Sequence, residues 1–224
     1  MIKVNQVTSR LEAGKLRGVD LVGICLGDPA ETDRRVVDAG TFTMLQDVVG
    51  PRTSLYVDAS AAHSPQDVVD AVEALGPTYF EFTAVDAAKE SAAAEQLDFL
   101  ERLPVPKIAN GFFVLKDDVG LLDSRLHLDR LVAAGVEYFQ VETDSLLDPR
   151  FRISAPHRER LAALFADYPC LVADVCTTPP VLPEFGQVGT YFNLGNGRVR
   201  NYDYSDRQTP LSGIVRFLRS LPVG

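Results

Sequence analysis

The strongest constraint on this chain is an alternation repeated eight times. Short apolar, β-branched runs lie at Ile2–Val7, Asp20–Leu26, Ser54–Ala59, Thr78–Thr83, Lys107–Val114, Tyr138–Glu142, Cys170–Val175 and Thr190–Leu194. Stretches of helical character separate them. Runs this short and this continuous in hydrophobicity suit strands covered on both faces in a parallel sheet. Eight such units within 224 residues predict an α/β fold, a single (β/α)8 barrel domain spanning 1–224, at the small end of the size range for that architecture. A doubly wound open sheet is the alternative. It fits less well, because no GxGxxG follows the first run.

The helices announce their ends. In Ser64-Pro65-Gln66-Asp67, Ser64 can cap, Pro65 has φ pre-set for a first turn, and Asp67 suits the positive helix end. Val68, Val69, Val72 and Leu75 then form one face. Ser154-Ala155-Pro156 opens a second helix with Leu161, Leu164 and Phe165 as its stripe. Leu121–Ala134 and Leu211–Leu221 read the same way, and Gly76 and Gly135 stand where helices should stop.

Charge and composition exclude several function classes. The chain carries 22 Lys+Arg against 31 Asp+Glu, a net charge of −9. That balance repels a polyanion and an anionic bilayer, so neither nucleic acid nor a membrane surface is the expected partner. No apolar run approaches the roughly 20 residues of a membrane span. Met1-Ile2-Lys3-Val4-Asn5 has no secretory character, which makes the cytoplasm the expected location. Cys25, Cys170 and Cys176 are too scattered for a disulfide framework. With three His and no CxxC, no structural metal is expected, nor any cofactor. A small anionic molecule is the expected partner, bound by a monomer or homodimer.

Several segments resemble phosphoribosylanthranilate isomerases. Lys3-Val4-Asn5-Gln6-Val7-Thr8-Ser9 is similar to their opening strand motif KICGxTx. Gly18-Val19-Asp20-Leu21-Val22-Gly23-Ile24 resembles their second-strand GADxxGF, and Ser54-Leu55-Tyr56-Val57-Asp58-Ala59 their third strand. Thr78–Thr83, Lys107-Ile108-Ala109, Tyr138–Thr143 and Ile214–Leu218 fall where that family carries its VQLHG, IKA and LLDT strands and its last helix. The resemblance implies a (β/α)8 barrel and an Amadori rearrangement of an aminoaldose phosphate. In the family a Cys ending strand one is the general base, and an Asp ending strand six is the general acid. Here those positions hold Asn5 and Glu142. The family's double-glycine phosphate turn after strand seven is replaced by Ala173-Asp174-Val175-Cys176.

Candidate chemistry gathers at the C-terminal strand ends, where this fold builds its sites. Glu142 is the expected acid; otherwise it is a solvated strand end or a partner for Arg150 or Arg152. Asp174 is the expected base, or else a turn residue before Thr177-Thr178-Pro179-Pro180. Asn5 can donate to a carbonyl or developing oxyanion, or satisfy a buried backbone group. Cys25 can be a nucleophile or inert packing. Substrate contacts are expected from Arg34 and Arg35, from Glu81 and Asn110, and from Gly195-Asn196-Gly197-Arg198 acting as an anion cradle after the last strand. Glu81 and Asp58 can also join a metal site, though no DxD or HxH pattern supports it. His63, His127 and His157 read as surface residues. An isomerase acting through proton transfer is the leading expectation. A lyase or cyclase with the same carboxylates, and a metabolite-binding barrel without activity, are the alternatives.

Overall fold

The computed structural model describes residues 1–32, 34–114, 124–142, 154–173, 185–195 and 208–221. Eight parallel strands close on themselves: β1 (Ile2–Asn5), β2 (Leu21–Leu26), β3 (Thr53–Val57), β4 (Tyr79–Thr83), β5 (Lys107–Phe113), β6 (Val136–Glu142), β7 (Cys170–Ala173) and β8 (Gly189–Leu194). Each pairs with its sequence neighbours, and β8 returns to β1 with Lys3 opposite Tyr191 and Asn5 opposite Asn193. The expected closed barrel is therefore present. Helices α1 (Arg10–Lys15), α2 (Ala39–Val49), α3 (Pro65–Leu75), α4 (Glu90–Glu101), α5 (Arg125–Ala133), α6 (Ala155–Asp167) and α7 (Leu211–Ser220) surround it.

Local signals explain most boundaries. The Ser64 hydroxyl accepts from the Asp67 N–H at 3.2 Å, and the Asp67 carboxylate accepts from the Ser64 N–H at 2.9 Å, closing a capping box around Pro65. Gly76 ends α3 at φ +55°, where a Cβ would be strained. Ser154 caps α6 through the His157 N–H. The structure departs from expectation at several points. β1 stops at Asn5 because Gln6 turns to φ +64°. β5 carries a register shift between Ala109 and Phe112, with Gly111 at φ +91° inside it. A two-residue strand, β9 (Gln208–Thr209), pairs with Asn193 and Leu194 of β8. Of the helix expected over 121–134, residues 121–123 lie outside the described residues.

The main core lies between barrel and helices. Val4, Val22, Ile24, Leu55, Phe80, Phe82, Phe139, Val141, Val172 and Phe192 point outward from the strands and pack with Phe42, Leu45, Leu100, Leu128, Leu164 and Ile214. Alternation then sends their neighbours into the barrel. One group of these is Leu171, Ala173 and Tyr191, with Met1 and Tyr138 against them. The others are Lys3, Asn5, Ser54, Glu81 and Gln140, all buried. The two-sided burial expected of the strands holds, but the inner face is largely polar.

Candidate functional site

A buried polar network fills the upper barrel. The Lys3 ammonium has no exposure. Its Nζ donates to Glu81 Oε2 at 2.6 Å and to Gln140 Oε1 at 3.2 Å, and also to Asn5 Oδ1. Three acceptors match its three protons. Glu81 in turn receives Gln140 Nε2 at 2.5 Å, Asn110 Nδ2 at 3.2 Å and the Ser54 hydroxyl at 3.3 Å. Each carboxylate oxygen therefore accepts two donors. Burial alone pulls the Glu81 carboxyl upward. The Lys3 charge and the hydrogen bonds from Lys3, Gln140 and Asn110 outweigh it, so Glu81 lies below its ordinary range. Burial pulls Lys3 below its ordinary value, with Glu81 opposing. Each charge thus meets its opposite and a full set of hydrogen-bond partners inside the barrel.

Gly23 is what makes room for this network. A Cβ there would lie 2.4 Å from Asn5 Oδ1 and 3.2 Å from Lys3 Nζ. Asn5 completes the chain: its Nδ2 donates to Gln140 Oε1 at 2.9 Å and to Asn193 Oδ1 at 3.1 Å. Its amide is thus held by side chains, not by a buried backbone group.

Above the network opens a cavity of about 470 Å³. Glu142, at the end of β6, lines it and accepts a hydrogen bond from the Tyr191 hydroxyl of β8 at 2.5 Å. Asn5, Glu81, Asn110, Arg34 and Arg35 line it as well. The two arginines differ. Arg34 is half exposed, with Nη1 3.2 Å from Asp58 Oδ2. Arg35 braces the loop after β1, donating through Nε to the Gln6 carbonyl at 3.0 Å and through Nη2 to Thr8 at 2.9 Å and Glu12 at 2.5 Å.

Other expected residues stand elsewhere. Asp174, Asn196, Gly197 and Arg198 lie outside the described residues, as do Cys176, Arg150 and Arg152. Gly195 does not offer its N–H to an anion, because that group donates to the Thr209 carbonyl at 3.2 Å. A Cβ at 195 would meet Gln208 Oε1 at 2.1 Å, so this glycine serves the close approach of β9. Cys25 lines the cavity, but burial and then the Asp58 and Glu81 charges push its thiol up to about 12, an inert state. No group of three or more metal-ligating side chains occurs among the described residues, and Glu81 is taken up by Lys3. Asp58 instead accepts from Ser60 and Arg34. His127 is not a surface residue as expected; it is 5% exposed, and burial lowers its pKa.

Sequence reasoning passed over Lys3, Gln140 and Tyr191. The available signal was a polar residue at every second position: Lys3 and Asn5, Glu81 and Thr83, Gln140 and Glu142, Tyr191 and Asn193. That period of two marks one face of each strand.

No known family profile matches the chain, and no curated protein matches it. Solved structures do. A 3-hexulose-6-phosphate synthase aligns over 98% of both chains at 15% identity, with a TM-score of 0.54. A spore coat polysaccharide biosynthesis protein from Bacillus subtilis aligns over all of this chain and 70% of its own at 14% identity, TM-score 0.57. A truncated 3-deoxy-D-arabino-heptulosonate 7-phosphate synthase from Thermotoga maritima aligns over 97% of this chain and 83% of its own at 9% identity, TM-score 0.55. Among the described residues no helix is long and apolar enough to cross a membrane. At these identities the likeness establishes the architecture: the chain is a (β/α)8 barrel.

Proposed function

We propose that this barrel is an enzyme that moves protons on a small anionic substrate held at its mouth, with Glu142 as the acid. The observation that carries the reading is the Glu142–Tyr191 hydrogen bond at the rim of a cavity floored by fixed polar groups. A general acid needs a titratable group held in one position against the substrate. Tyr191 supplies that hold, while Asn110 and Asn193 offer amide edges for neutral polar groups. Arg34 supplies positive charge on the rim. The similar structures support the substrate class, since two of them are named for sugar-phosphate synthesis. The resemblance to phosphoribosylanthranilate isomerases supports the reaction type, an isomerisation at a sugar or keto carbon. Asp174, or a basic group of the substrate itself, takes the complementary role of base.

The test is proton exchange. Wild-type protein is incubated in D₂O with a panel of aldose and ketose phosphates and followed by ¹H NMR. Loss of a C–H signal next to the carbonyl of one member, at a rate proportional to protein, is the expected result. Saturable binding without exchange in every case assigns the barrel to metabolite binding instead.

A further inference from the structure

Gln6 follows β1 directly and is the one non-glycine among the described residues with a left-handed backbone, at φ +64°. That region penalises a Cβ and is open to glycine. The Gln6 Oε1 atom is shut off from solvent and has no hydrogen-bond partner among the described residues. A buried acceptor left unpaired carries a desolvation cost of its own. Gln6 also lines the mouth cavity, alongside Asn5, Arg34 and Glu142.

The strained turn is held from outside. Besides the Arg35 contact to its carbonyl, Glu12 Oε2 accepts from the Thr8 N–H at 2.9 Å, and Val7 donates to the Gly23 carbonyl at 3.1 Å. Strain persists where surrounding contacts over-determine it, and it concentrates at ligand sites. Glycine at position 6 would remove both costs, so neither serves the fold.

We propose that Gln6 is a ligand-contacting residue that sets specificity. Its side chain rotates on binding, and the carboxamide oxygen accepts a hydrogen bond from an O–H or N–H of an anionic ligand whose charge faces Arg34. The inference rests on the reading of the mouth as a substrate site, and it adds a required donor group to that ligand.

Two readouts test it, with D-ribulose 5-phosphate as the probe. The first is thermal melting. Gln6→Gly should raise the Tm by about 2–4 °C through relief of the backbone strain. The second is calorimetric titration. Gln6→Gly and Gln6→Ala should both bind the probe about 2- to 10-fold more weakly than wild type, the loss of one hydrogen bond. Gln6→Asn, which keeps a carboxamide acceptor without adding charge, should bind more tightly than Gln6→Ala. Unchanged affinity in both Gly and Ala variants overturns the assignment of Gln6 alone. An unchanged or lowered Tm in Gln6→Gly overturns the strain argument and the proposal with it. Failure of wild type to bind the probe overturns the mouth as an anion site, and this proposal falls with it.

Discussion

Lys3 and Glu81, 78 positions apart, form an ion pair at 2.6 Å inside the barrel with both side chains buried. Closing the ring places them together, since inward side chains of β1 and β4 meet inside it. Removing one partner leaves an uncompensated buried charge. Lys3→Met alone, or Glu81→Leu alone, should lower stability by about 3–5 kcal/mol. The pair replaced together by Met and Leu should lose much less than the sum of the single changes. Urea unfolding of the four proteins gives the coupling energy; additive losses would contradict a directly paired network.

The same pair sets an acid limb. Glu81 lies below its ordinary carboxyl value in the folded chain. The folded state therefore binds fewer protons than the unfolded one as the medium is acidified. Its stabilisation is complete above the unfolded value of about 4.3 and fades as pH falls through the folded value. Stability measured by urea titration between neutrality and acid should drop on that limb. The drop should be shallower in the Met and Leu double variant, which has no carboxylate there to protonate.

The Cys25 thiol should be unreactive, because burial and neighbouring carboxylates raise it to about 12. Native protein at pH 8 should react with a disulfide reagent at Cys25 far more slowly than unfolded protein. Mass spectrometry of the labelled peptide reports the difference, and rapid native labelling would contradict this buried, negatively charged setting.

Phosphoribosylanthranilate isomerisation should be weak or absent, since Asn5 cannot accept a proton at neutral pH. Loss of a general base costs about 10²- to 10⁴-fold. The structure adds that the Asn5 amide is held by Lys3, Gln140 and Asn193. Asn5→Cys should therefore recover little. Growth of a tryptophan auxotroph carrying the wild-type gene at ordinary expression would contradict this.

The barrel was legible in the sequence because each unit opens on an apolar run, and some helices add a capped start, as at Ser64 and Ser154, or a glycine stop, as at Gly76. The site was legible only at strand ends, where Glu142, Asn5 and Asn110 interrupt apolar runs. Lys3 was not legible, because a lysine near the start of a chain reads as solvated until β8 closes against β1 and buries it. Gly195 misled for a similar reason. A glycine in a Gly-Asn-Gly turn suggests free N–H groups, and only the short β9 shows where that N–H goes. Gln6 carried no signal at all, since a positive φ at a non-glycine residue depends on the contacts that enforce it.

The central claim is that Glu142 carries the proton, and it is tested by Glu142→Gln on the ketose or aldose phosphate that shows exchange with wild-type protein. The variant keeps the size of the side chain and an acceptor for Tyr191 while removing the titratable group. Exchange measured by NMR should fall by about 10²-fold or more. The affinity for the same compound and the melting temperature should stay close to wild type, because proton transfer acts in the transition state. Retention of more than about a third of the wild-type exchange rate would contradict the assignment of Glu142 as the acid.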